Sequence, residues 1–127
     1  MGTVIIKSKT NFKKTTVWFN KLLKAFNKGL FAKYGEAGVR ALSEATPVDT
    51  GKTASSWGYN VKTAPGSVTI EYTNSNVNKG VPIALVLQYG HGTGTGGYVQ
   101  GVDYINPAIR PVFKQMAKDL RKEVAAL

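Results

Sequence analysis

Trp57-Gly58-Tyr59-Asn60-Val61-Lys62-Thr63-Ala64-Pro65-Gly66-Ser67-Val68-Thr69-Ile70-Glu71-Tyr72 is the stretch that decides the fold. Trp57, Tyr59 and Val61 alternate with polar neighbours, and Val68, Ile70 and Tyr72 do the same after the Ala64-Pro65-Gly66 turn. Successive side chains of an extended strand point to opposite faces, so the alternation predicts an antiparallel hairpin with one apolar face.

The chain on both sides of this hairpin has a different period. From about Thr15 to Ala45, Trp18, Leu22, Leu23, Phe26, Leu30 and Tyr34 recur at spacings of three and four, which predicts an amphipathic helix. Lys21, Lys24 and Lys28 fall on its opposite side and form a candidate contact for a polyanion or an acidic partner. Gly29, Gly35 and Gly38 each cost about 1 kcal/mol relative to alanine within a helix, so a break or kink is expected near them. The small residues between Glu36 and Ala45 suit close packing against a sheet or another helix. Thr46-Pro47 ends the segment, because the residue before a proline is pushed out of the helical region. Pro47, Asp49 and Gly51 then make a structural turn, with Asp49 placed to cap a short helical turn through Lys52 to Ser56.

Downstream, Thr73 to Gly80 reads as a polar loop, and the apolar run Val81 to Tyr89 suits either a buried strand or a short helix. Gly90 to Gly101 holds six glycines in twelve residues, which predicts a flexible loop or a long hairpin tip that orders on a partner. Tyr89, His91, Gly94 and Tyr98 are its candidate interface residues. Pro107 to Leu127 is predicted helical, with Ile109, Val112, Phe113, Met116, Leu120 and Val124 at helical spacing and Pro111 in the first turn. The expected architecture is a single α+β domain over residues 1–127: a long N-terminal helix, a small antiparallel sheet, a C-terminal helix and a long glycine-rich loop. Residues 1–14 are read as a flexible basic arm.

Composition narrows the chemistry. The 127 residues are 43% hydrophobic, enough to bury one core. No run approaches the roughly 18 to 20 apolar residues that cross a bilayer, and no secretion signal opens the sequence, so no membrane partner is expected. There is no cysteine and a single histidine, His91, so no cofactor or metal site is expected. The net charge of +10 points to an acidic partner, and eight lysines precede the first acid, Glu36.

Three catalytic or cofactor patterns are disfavoured by context, and of these only a homodimeric aspartic protease at Asp49-Thr50-Gly51 is kept, as a remote alternative. Asp49-Thr50-Gly51 is the tripeptide of homodimeric aspartic proteases, but that aspartate belongs on a hydrophobic strand and here follows Thr46-Pro47. A subtilisin-like order with Asp49 and His91 lacks a later serine, since none follows Ser75. Gly92 to Gly97 satisfies a GxGxxG pattern without a helix after it. No catalytic residue is assigned. Trp18, Phe19, Phe26, Phe31 and Tyr34 interleave with lysines, so a small basic nucleic-acid-binding module stands as the alternative to a structural role.

Three segments, in order, resemble the head-tail joining and tail-completion (neck) proteins of long-tailed bacteriophages. Ala45-Thr46-Pro47-Val48-Asp49-Thr50-Gly51-Lys52 with Ser56-Trp57 is similar to the family's PVDTG followed by a basic residue. Val81-Pro82-Ile83-Ala84 leading to Gln88-Tyr89-Gly90 resembles its segment ending in an aromatic, a glycine and a threonine. Tyr104-Ile105-Asn106-Pro107-Ala108 is similar to its aromatic-Leu-Arg-Pro-Ala. The sequence departs from the pattern at Thr53 (commonly leucine), Gln88 (commonly an acid), His91 and Asn106 (commonly arginine). The resemblance implies a non-enzymatic virion subunit, made in the host cytoplasm. Isolated, it is a monomer or an oligomer; on the particle it is one copy in a ring of six between tail tube and connector. DNA passes through the hole, and the partners are further copies, the tail tube protein and the connector or stopper proteins.

Overall fold

The computed structural model describes residues 3–11, 29–47, 51–64, 67–92 and 95–125. The expected hairpin is there: β2 (Trp57–Ala64) and β3 (Ser67–Asn74) pair antiparallel, with Tyr59 opposite Tyr72 and Val61 opposite Ile70. β1 (Thr3–Asn11) pairs antiparallel with the other edge of β3, giving a three-stranded sheet in the order β1-β3-β2. For residues 3–11 a paired strand thus replaces the flexible arm expected over 1–14, the rest of which lies outside the described residues. Alternation in β1 is broken by a register shift between Val4 and Ile6, a bulge that hides the period of two from a sequence reading.

Helix α1 (Gly29–Ala45) lies across the inner face of the sheet. Its expected beginning near Thr15 falls outside the described residues, as do Lys21, Lys24 and Lys28. Gly35 and Gly38 do not break it. A Cβ at Gly35 would run into the Tyr59 ring and one at Gly38 into the Tyr72 ring, so both glycines lie where the helix meets the sheet's tyrosines. The cost of glycine in a helix is offset here by that close approach, which buries Phe31, Tyr34 and Leu42 against Ile70 and Tyr72. The Tyr72 hydroxyl donates to the Tyr34 carbonyl oxygen at 2.7 Å, fixing the ring under the helix.

After β3 the chain is not a plain polar loop. Asn74 and Asn76 are buried, and β4 (Val77–Asn78) pairs with β5 (Val81–Pro82) around Lys79 and Gly80, both at positive φ. The ambiguous apolar run is β5 followed by a short helix, α2 (Ile83–Tyr89). The glycine-rich segment forms a small hairpin of its own, β6 (Gly90–Gly92) with β7 (Tyr98–Gln100). α3 (Ile105–Ala125) closes the fold, burying Ile105, Ile109, Met116 and Leu120 beside α1 and setting Phe113 against Tyr72 with ring centroids 6.1 Å apart. Pro111, expected in the first turn of this helix, lies in the second. It can donate nothing to the Pro107 carbonyl, and both residues are exposed, so water can satisfy that group.

Candidate assembly interface

Two joints hold the surfaces on which a partner could dock. The first is the Ala45 to Trp57 turn. Thr46 Oγ1 donates to the Leu42 carbonyl at 2.6 Å and accepts from Trp57 Nε1 at 2.8 Å, so one threonine both ends α1 and anchors the first residue of β2. Ser43 Oγ donates to Ala54 O at 2.6 Å from the helix side. Gly51 sits at φ +79°, where an L side chain is strained, and its carbonyl accepts from Ser55 N. The expected short helical turn is present as a 3-10 turn, Ala54–Ser56, without a side-chain cap from Thr53. The Ser55 and Ser56 hydroxyls close it by donating to Lys52 O. Pro47 is exposed at the helix end, while Asp49 and its predicted cap lie outside the described residues.

Thr53 has a clear part in this joint. It is buried, its carbonyl accepts from Asn74 Nδ2 at 3.0 Å, and its hydroxyl accepts from Asn76 Nδ2 at 2.7 Å. Asn74 Oδ1 in turn accepts from Asn76 N at 2.9 Å. A leucine at position 53 could not accept the second amide, so the threonine and Asn76 fit as a pair.

The second joint is built on Gln88. Its side chain is buried, and Oε1 accepts from both Tyr104 N and Ile105 N at 3.0 Å, capping the N-terminus of α3 from another element. Its Nε2 donates to Asp103 Oδ1 at 2.6 Å, and Asn106 Nδ2 donates to the same oxygen at 3.0 Å. These hydrogen bonds, Gln88 first, hold the Asp103 carboxyl below its ordinary pKa. The Tyr104 hydroxyl donates to Ala84 O at 2.7 Å, and burial pushes its pKa up to about 12. An acceptor at position 88 is what two free helix N–H groups require, and a carboxylate or an amide can supply it.

This joint displays the β6–β7 hairpin. Gly90 ends α2 at φ +82°, and a Cβ on it would strike the Val99 carbonyl; one on Gly101 would strike the backbone of Gln88 to Gly90. The glycines thus let two strands cross the end of α2 in backbone contact. The Tyr98 hydroxyl donates to Tyr89 O at 2.8 Å, and Val102 N donates to Leu87 O at 2.9 Å. Tyr89 and Tyr98 are 68% and 65% exposed, with Val99 and Val102 exposed beside them, and His91 is exposed opposite Val99. Three of the four candidate interface residues, Tyr89, His91 and Tyr98, are thus exposed on or beside this hairpin, and Gly94 lies outside the described residues.

Positive charge gathers on the outer face of the three-stranded sheet. Lys7 and Lys62 reach Glu71 on the central strand at 3.4 and 3.0 Å, and Lys9 stands two residues along β1 on the same face. The Glu71 carboxyl is held below its ordinary pKa, chiefly by the Lys62 hydrogen bond and charge, against the opposing effect of burial. Sequence reasoning missed Gln88, Asp103, Asn74 and Asn76. Asp103 ahead of Asn106-Pro107 carried a helix-start signal that could have been found; the long-range partners did not.

Among the described residues no group of three or more His, Asp or Glu side chains could hold a metal ion, and no helix is long and apolar enough to cross a membrane. No protein-family model matches the chain, no curated protein matches it, and no solved structure matches it.

Proposed function

We propose that the chain is a structural subunit of a bacteriophage neck, a tail-completion or head-tail joining protein that acts by docking in a ring rather than by catalysis. One observation carries the reading: Tyr98 and Val99 on the β6–β7 hairpin, with Tyr89 and Val102 at its base, are exposed, and the hairpin is hydrogen-bonded to the end of α2. Exposed aromatics on a preorganised support are the features of a docking surface, since little conformational freedom remains to be lost on binding. The three segments that resemble the neck family fall on the two joints just described, Thr46 to Trp57 and Gln88 with Tyr104-Ile105. Gln88 does there what the family's acid can do, accepting from the first N–H groups of the C-terminal helix.

The test is quantitative peptide counting on purified particles. The expected result is a few copies per particle, near one ring. Absence from particles, together with salt-dependent binding to free DNA, would sink the reading. Removing residues 91–100 should block head-tail joining and leave the subunit folded, because none of the described residues among them belongs to the buried core.

The outer sheet face with Lys7, Lys9 and Lys62 favours a second reading, a basic nucleic-acid-binding module. Two of these three ammonium groups are drawn onto Glu71, which lowers the charge available to phosphates.

A further inference from the structure

α3 has two faces, and the core uses one of them. Ile109, Met116 and Leu120 are buried beside α1, while Arg110, Lys114, Lys118, Arg121 and Lys122 are all exposed. At about 100° per residue these five cations fall within an arc of about 120°, over about 18 Å of helix. By the same spacing the two acids of the helix, Asp119 and Glu123, fall outside that arc. We propose that this face of α3 is a contact for the phosphate backbone of duplex DNA, made without reading its sequence. The contact itself goes beyond the neck reading; its placement toward the hole of a ring rests on that reading.

Neither helix stability nor solubility calls for this arrangement. Arg110 with Lys114, Lys114 with Lys118, and Lys118 with Lys122 are three successive like-charged pairs at four-residue spacing, and such pairs oppose helix formation. Cations near a helix C-terminus are favourable, which accounts for Arg121 and Lys122 but not for the three further up. A surface kept soluble by mixed charge would set acids among them. Among the described residues the ion pairs are those of Lys7 and Lys62 with Glu71, so the five keep their charge for an external anion, although Arg110 is also attracted by Asp103. The outer sheet face offers less, since Glu71 holds two of its three lysines.

The chemistry of the face decides among acidic partners. Protein interfaces are anchored by apolar and aromatic side chains and are depleted of lysine, whereas from Arg110 to Lys122 the exposed apolar residues are Pro111 and Ala117 alone. A helix on a membrane surface buries its apolar face in lipid, and that of α3 is already buried in the protein. Single strands are held by stacking on aromatic rings, and the ring in this stretch, Phe113, packs on Tyr72. A duplex carries one phosphate charge per about 1.7 Å of axis, so about 18 Å of it presents about ten, enough to meet every cation on the face. Lysine and arginine contacts to phosphate position a protein without specifying a base.

The test measures binding of the full chain to two unrelated duplexes of about 30 base pairs by fluorescence anisotropy, from about 50 to 200 mM salt. Affinity for the two should agree within about twofold and fall with salt, with a log–log slope near −0.9 per phosphate contacted, about −4 for the whole face. Lys114→Gln/Lys118→Gln/Arg121→Gln removes three contacts, so the slope should fall to about −2 and binding at about 100 mM salt should weaken at least about tenfold. Lys9→Gln/Lys33→Gln/Lys79→Gln removes equal charge from three other exposed positions and should cost less than about threefold. Urea unfolding checks that both variants are folded. Equal losses in the two variants, no binding by the parent at the lowest salt, a clear preference for one duplex, or displacement by polyglutamate as effective as by unlabelled duplex would each overturn the proposal. Copies in particles from a parent that does not bind DNA discard the contact and keep the neck reading. Binding through α3 with no copies in particles keeps the contact and discards the neck.

Discussion

Replacing Gln88 tests whether one buried amide holds the docking hairpin and the C-terminal helix together. Gln88→Leu keeps the side chain's bulk and removes its polar groups, leaving Tyr104 N and Ile105 N without their shared acceptor and Asp103 without one of its donors. An unsatisfied buried donor costs about 1–3 kcal/mol, and loss of a helix cap about 0.5–2 kcal/mol. The two descriptions overlap at these same N–H groups, so we expect a loss of about 3 kcal/mol in total. Gln88→Ala should cost less, about 2 kcal/mol, because the space vacated is polar and a water can enter it. Gln88→Glu keeps the acceptor and gains from the helix N-terminus, but faces Asp103 where the amide donated at 2.6 Å. Its expected cost is about 1 kcal/mol at neutral pH, recovered in Q88E/D103N. The assay is urea unfolding followed by tryptophan fluorescence, with a thermal scan in which Gln88→Leu melts about 10 °C lower. If Gln88→Leu unfolds within about 0.5 kcal/mol of the parent, the capping argument is wrong.

Other consequences follow from the two joints and the buried rings. Gly38→Ala should destabilise by about 1–3 kcal/mol despite alanine's better helix propensity, because the Tyr72 ring it meets is fully buried and tied to Tyr34 O; Gly35→Ala should cost less, since Tyr59 is only partly buried and has more room to shift, and urea midpoints compare the two. Thr46→Val should cost about 1–3 kcal/mol by leaving Trp57 Nε1 without an acceptor, again read from the unfolding midpoint. Glu71 has a lowered folded pKa, so its share of stability is present above the ordinary glutamate pKa and is lost as pH falls through the folded value. Acid titration of Glu71→Gln should accordingly show a shallower loss than the parent below about pH 4.5. Tyr72 and Tyr104 have folded pKa values of about 12, so their share is present below about pH 10 and lost as pH rises through 12; tyrosinate absorbance should show both titrating late, and early titration would contradict their burial.

Much of the fold was legible because each element kept its period. Alternation gave the β2–β3 hairpin, and spacings of three and four gave the C-terminal helix with Ile109, Met116 and Leu120 inside. β1 was not legible, because its bulge puts Val4, Ile5 and Ile6 in succession and its lysines read as a solvated arm. The buried asparagines looked like loop residues, since Asn74 and Asn76 find Thr53 from more than twenty residues away. Gln88 was hidden for the same reason: its place in an apolar helix says nothing of the backbone N–H groups sixteen and seventeen residues on. At the candidate interface, Tyr89, His91 and Tyr98 were singled out by the exposure expected of a glycine-rich loop, and all three are exposed.

The glycines of the hairpin change meaning once their neighbours are known. Six glycines in twelve residues suggest freedom, and the sequence alone expects order only on a partner. Gly90 and Gly101 instead sit where a Cβ would meet backbone, and Gly90 also holds a positive φ, so these two serve a crossing of strand over helix end. The crossing is held by Tyr98 to Tyr89 O and Val102 to Leu87 O, and beneath it Gln88 ties α2 to α3. A hairpin fixed this way loses less entropy on docking than a free loop of equal length, where each ordered residue costs about 1–2 kcal/mol. Gly101→Ala should therefore weaken assembly by moving the hairpin off its base while Tyr98 and Val99 remain available. If Gly101→Ala assembles as well as the parent, docking depends on the aromatic side chains and not on the platform that presents them.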